Sequence, residues 1–97
     1  MILGFFGSNL GSVGAWTNGL TCVGNVLSSS PENNDGHCLT YCNSYSYSDP
    51  DNYKCCHWYF VNGNTKSCKV YSVSNTLTIC NTVSIGTAND WITYDIN

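Results

Sequence analysis

One stretch of this chain places its buried-type residues at helical spacing. Cys38, Tyr41, Cys42 and Tyr45 recur at steps of three and four, and Asn34 or Asp35 is a suitable N-cap. This predicts a single short helix over about 35–45. Most of the remaining pattern is that of strands. Leu20 to Leu27 is a short apolar run, and Cys55 to Val61 is rich in aromatics. Lys66 to Tyr71 alternates polar with apolar residues, and Thr76 to Val83 and Trp91 to Ile96 complete the set. Asn62-Gly63-Asn64 between the second and third runs predicts a hairpin. Ser28 to Gly36 has loop composition throughout, and Asp49-Pro50-Asp51-Asn52 reads as a turn after the helix.

Glycines interrupt the apolar residues of the N-terminal segment, Ile2, Leu3, Phe5, Phe6, Leu10 and Val13. The segment is expected to be an extended arm, reaching about 50 Å at about 3.3 Å per residue. The expected fold class is therefore α+β: a small disulfide-stapled domain, a twisted antiparallel sheet packed on one short helix, preceded by an extended Gly-rich arm. The expected organisation is an arm over 1–16 and one domain over 17–97.

Seven cysteines in 97 residues change the picture most. A domain of this size buries a modest core, and dense cysteine in such a chain normally means covalent stapling in an oxidising compartment. Cys38 and Cys42 lie one helical turn apart, with β-carbons about 5–6 Å from each other, too far to bond together. They face the same way and must reach two partners on an underlying sheet. Strand alternation sets Cys56, Trp58 and Phe60 on one face and Cys55, His57 and Tyr59 on the other, and the first set is the better core. The expected bridges are Cys42 to Cys56 and Cys38 to Cys68. Cys55 is left as a buried thiol, a bond to a neighbouring subunit or a vicinal ring with Cys56.

Charge narrows the possible partners. Three basic and six acidic residues give a net charge of −3, which offers no cationic surface for phosphates and argues against nucleic acid. Charged residues make up only 9% of the chain, so neighbouring copies repel one another weakly. No segment is long and apolar enough to suggest a membrane span. Met1 to Gly7 lacks the basic residue and continuous apolar helix of a secretory leader, so the expectation of an extracellular, secreted or cell-surface protein rests on the cysteines.

Reactive constellations are weak by comparison. His37, Cys38, Cys42, Cys55, Cys56 and His57 are a conceivable zinc set, but paired C-x-x-C knuckles are absent and disulfides are the better use of the sulfur. A cysteine nucleophile needs an electropositive setting that three basic residues do not supply. Asp49, Asp51 and Asn52 lack the remaining spacing of a calcium loop, and Asp35, Asp90 and Asp95 have little chain around them to wall a glycosidase cleft. The expectation is of a non-enzyme without catalytic residues, metal or cofactor. Tyr45, Tyr47, Tyr53 and Tyr59 are the candidate ligand contacts, since a phenol joins stacking area to a hydroxyl. The Ser28-Ser29-Ser30 run suits O-linked sugar, whereas no N-glycosylation acceptor occurs.

The helix bearing Cys38-Leu39-Thr40-Tyr41-Cys42, the aromatic strand after Cys56 and the closing Cys68-Lys69-Val70-Tyr71 strand resemble the apple/PAN family over about residues 21–97. The resemblance implies an antiparallel sheet cradling a helix tied to it by two bridges. In the apple branch a further bridge joins the outer strands, which here implies Cys22 to Cys80. The Cys55-Cys56 doublet and the arm depart from the family pattern. Two functions follow as expectations. One is a structural subunit that self-assembles into a filament, fibril or coat through its arm, with further copies of itself as partner. The alternative, which the resemblance implies, is an adhesion or recognition module binding glycans or extracellular proteins.

Overall fold

The computed structural model describes residues 16–46, 51–74 and 83–95. These form β1 (Thr17–Asn18), β2 (Leu20–Cys22), β3 (Asn25–Pro31), α1 (Asp35–Ser44), β4 (Asn52–Phe60), β5 (Lys66–Ser74), β6 (Val83–Ile85) and β7 (Asp90–Asp95). A five-stranded antiparallel sheet runs in the order β1-β7-β4-β5-β3, and β2 pairs with β6 in a separate ribbon. The α+β class, the stapling and, among the described residues, one short helix are thus present. The arm residues 1–15, and the strand expected over 76–83 except for its last residue, lie outside the described residues.

α1 begins where the sequence indicates. The Asn34 side chain accepts a hydrogen bond from the His37 amide at 3.1 Å, satisfying one of the donors a helix start leaves free. Cys38 and Cys42 are the helix's buried residues. They reach the sheet through the bridges Cys38–Cys68 and Cys42–Cys56, closing on the strand face that carries Cys56, Trp58, Cys68 and Val70.

β4 is the central strand, and Tyr53 to Trp58 are all buried. Alternation therefore serves two cores. The face opposite α1 packs Tyr53, Cys55, Val73 and Ile92 against Cys22 and Val83 from the small ribbon. Here the structure corrects two expectations. Cys22 bonds Cys55, not Cys80, and Cys55 is neither a free thiol, an intermolecular link nor a partner of Cys56. The face of Cys55 is a second interior covered by β2 and β6, and Cys22 arrives opposite it. Cys80 lies outside the described residues.

Two element boundaries also differ. The run from Leu20 to Leu27 is broken at Val23 and Gly24, where the chain leaves one sheet for the other. A β-carbon on Gly24 would collide with the Ser72 carbonyl oxygen, so glycine permits this crossing. The serine run is strand, not loop: Ser28, Ser29 and Ser30 pair with Val70, Lys69 and Cys68. The register shifts between Val26 and Ser28, and Leu27, the extra residue, packs on the helix-side core.

Candidate functional site

Beyond the part of the sheet that α1 covers, the same face ends in a strip of aromatic rings. Trp58 and Trp91 are register partners on β4 and β7, with ring centroids 5.2 Å apart. Trp16, which enters β1, lies 6.1 Å from Trp58, and Phe60 lies 6.3 Å from Trp91. The Trp58 indole donates to the Glu32 carbonyl at 2.7 Å, which fixes the buried ring of the strip. Trp16 and Trp91 are half-buried and Phe60 is 37% exposed. The Lys66 ammonium stands 4.6 Å from the Trp58 centroid and 4.7 Å from that of Phe60, over both faces. Such a strip can stack a planar or ring-bearing partner beside a positive charge.

A second group forms on the opposite face. His57 Nε2 contacts Asp90 Oδ1 at 2.8 Å, and Tyr59 stacks on the imidazole at 4.4 Å. Asp90 Oδ2 accepts from the Thr87 amide at 2.7 Å and its hydroxyl at 3.0 Å, while the Asp90 carbonyl accepts from the Gly19 amide at 2.7 Å. Gly86 returns a bond to the Gly19 carbonyl at 2.9 Å. Gly19 turns β1 into β2 at φ 83°, a left-handed conformation that favours glycine. His57 and Asp90 thus tie the central strand to the turn that anchors β1.

Burial holds the His57 imidazole below the ordinary 6.5, partly offset by the Asp90 hydrogen bond and charge. Burial pushes Asp90 up, but the Thr87 and His57 bonds outweigh it and leave the carboxyl below 3.8. Hydrogen bonding to Tyr59 raises Lys69, and burial raises the Tyr71 phenol. His57 Nδ1 is buried without a hydrogen-bond partner, so a second proton on the ring has no acceptor there. Since the folded pKa lies below the unfolded one, the unfolded chain binds the proton first. The His57 contribution is therefore present above pH 6.5 and is lost as pH falls through the folded value. The urea midpoint is expected to drop as pH is lowered from 7 towards 5, and His57→Gln to flatten that slope. A midpoint that rises over this interval in the parent chain would contradict the assignment.

The sequence candidates separate. Tyr45 is half-buried against the helix-side core, and Tyr59 is half-buried against His57. Tyr53 is only 1% exposed and belongs to the core of the second face, so it is no ligand contact. Its odd position in β4 turns it towards the small ribbon. Tyr47 and the arm residues Ile2, Leu3, Phe5, Phe6, Leu10 and Val13 lie outside the described residues. Of the conceivable zinc set, every cysteine is bridged, His37 is exposed on α1 and His57 holds Asp90. The strip of Trp16, Trp58, Phe60 and Trp91 was not anticipated as a site. The parity shared by Trp58 and Phe60 was legible, but the pairing of β7 and β1 beside them was not.

No helix among the described residues is long and apolar enough to cross a membrane. Comparison with protein-family models, with curated proteins and with solved structures gave no match.

Proposed function

We propose that this chain is a non-enzymatic extracellular structural subunit that self-assembles into a filament, fibril or coat, with residues 1–16 as its assembly arm. The observation that carries the reading is the edge of the five-stranded sheet. β3 runs for seven uncharged residues and, among the described residues, is paired on one side only. Edge strands are usually guarded by charge, extreme shortness or proline, because their free amides and carbonyls are a template for another strand. Here only Pro31 and the Leu27 bulge interrupt the edge. Three bridges hold the block behind it, which also supports the extracellular setting.

A second reading is favoured by the aromatic strip: a recognition or adhesion module, as the apple/PAN likeness of the helix and hairpin cysteines suggests, taking glycan or protein on Trp16, Trp91 and Phe60. One experiment separates the two. Light scattering is run on the intact chain and on a chain lacking residues 1–15. Assembly predicts large, regular particles that collapse to monomers on deletion. A 10.6 kDa monomer for the intact chain sinks the assembly reading and leaves recognition to be pursued on the strip.

A further inference from the structure

We propose that Asn62 is a self-modification site, where the folded chain converts asparagine into aspartate or isoaspartate with water as the co-reactant. The proposal is independent of the assembly reading. Asn-Gly occurs twice in the sequence, at Asn18-Gly19 and Asn62-Gly63, and a glycine without a side chain leaves its backbone nitrogen open to the preceding side-chain amide carbon. The structure treats the two pairs differently. Asn62 and Gly63 are both exposed, on the hairpin tip between β4 and β5. The Asn64 amide donates to Asn62 Oδ1 at 3.2 Å. That bond polarises the side-chain carbonyl and lies where negative charge develops when its carbon is attacked. The attacking group is the Gly63 amide nitrogen, which has no hydrogen-bond partner among the described residues. The Val61 and Asn62 amides, by contrast, both donate to the Thr65 carbonyl, at 2.8 and 3.3 Å, and hold the tip around it.

Asn18 is exposed as well, so accessibility does not separate the two pairs. Hydrogen bonding does. The Gly19 amide donates to the Asp90 carbonyl at 2.7 Å, and Asn18 Nδ2 donates to the Ala88 carbonyl at 2.8 Å and to the Asp90 carbonyl at 3.3 Å. Nucleophile and leaving group are thus both tied down, and local opening must free them before reaction. At Asn62 the step balances without any further reagent. The Gly63 nitrogen bonds to Asn62 Cγ and gives up its proton, the bond from Cγ to Nδ2 breaks, and Nδ2 leaves with that proton as ammonia. Water then opens the cyclic imide at either carbonyl, giving aspartate, or isoaspartate with the main chain routed through the former side chain. Either product adds a negative charge to a chain of net charge −3, in the loop that joins the register partners Phe60 and Lys66 of the aromatic strip.

The test incubates the full, disulfide-bonded chain at mildly alkaline pH and follows both sites by peptide mapping, with digestion in acid and fragmentation that distinguishes isoaspartate from aspartate. Asn62 is expected to convert, and Asn18 to convert about tenfold more slowly or less, because its attack waits on local opening. In the reduced chain held unfolded in urea the two sites are expected to react at similar rates, which assigns the difference to the fold. Gly63→Ala is expected to slow conversion at position 62 without unfolding the chain: a β-carbon there meets nothing within 4 Å, and Gly63 is not in the left-handed conformation. Equal rates at Asn18 and Asn62 in the folded chain overturn the proposal. So does an Asn62 that stays intact while the unfolded chain converts, or a Gly63→Ala variant that converts as fast as its parent.

Discussion

Replacing Cys22 and Cys55 together by alanine is expected to cost about 4 kcal/mol of stability, the chain-entropy cost of opening a loop of this length. The two cysteines are 33 residues apart in sequence and buried at 6% and 0% exposure. A domain of this size typically has about 5–15 kcal/mol in all, so the loss is a large share. The structural reason lies in the second core. β2 and β6 pair chiefly with each other, and the Cys22–Cys55 bridge is the covalent tie between their ribbon and the central strand. Leu20, Val83 and the buried face of Tyr53 depend on that ribbon staying in place. Urea unfolding of the double variant checks the magnitude, and peptide mapping checks that Cys38–Cys68 and Cys42–Cys56 survive. A change below about 1 kcal/mol, or a parent chain in which Cys22 maps to Cys80, would show that the second face is closed differently.

Where a local rule applied, the sequence was readable. Asn34 caps α1 because a short side-chain acceptor before an i, i+3, i+4 pattern has few other uses. Cys38 and Cys42 were placed on the sheet because helical geometry sends both to one side. What failed was long-range. Six consecutive buried positions in β4 cannot be told from a one-sided strand by alternation alone, so the sequence leaves Cys55 without its partner Cys22 and puts Tyr53 among the ligand contacts. Their face became interior only because the chain breaks at Gly24 and folds a separate ribbon over it. Ser28 to Ser30 has loop composition, yet pairing with β5 overrides that preference. The His57–Asp90 contact joins residues 33 apart, and no motif announced it.

Lys54 shows the same limit and gives the second large prediction. A lysine between Tyr53 and Cys55 invites a solvent assignment, but it shares parity with Cys56 and Trp58 and is 2% exposed. Its ammonium donates to the Cys42 carbonyl at 2.7 Å and the Tyr45 carbonyl at 3.1 Å, at the C-terminal end of α1. Helix ends of this kind leave carbonyls unpaired and carry a partial negative charge, and α1 has no basic residue in its own last turn. The strand therefore supplies the cation that the last turn lacks, on a Cys42 carbonyl that also accepts from the Tyr45 amide at 3.3 Å. Lys54→Met keeps most of the side-chain volume while removing both bonds, so the loss isolates the polar contribution. Hydrogen bonds to a charged group contribute about 1.5–3 kcal/mol each before the burial cost of the ammonium is returned, and the expected net loss is about 2–3 kcal/mol. Chemical denaturation measures it. Amide exchange is expected to quicken in the last turn, Cys42 to Tyr45, more than at the Asn34 end. A Lys54→Met variant as stable as its parent, with unchanged exchange at Tyr45, would mean that the bridge from Cys42 alone holds the end of the helix.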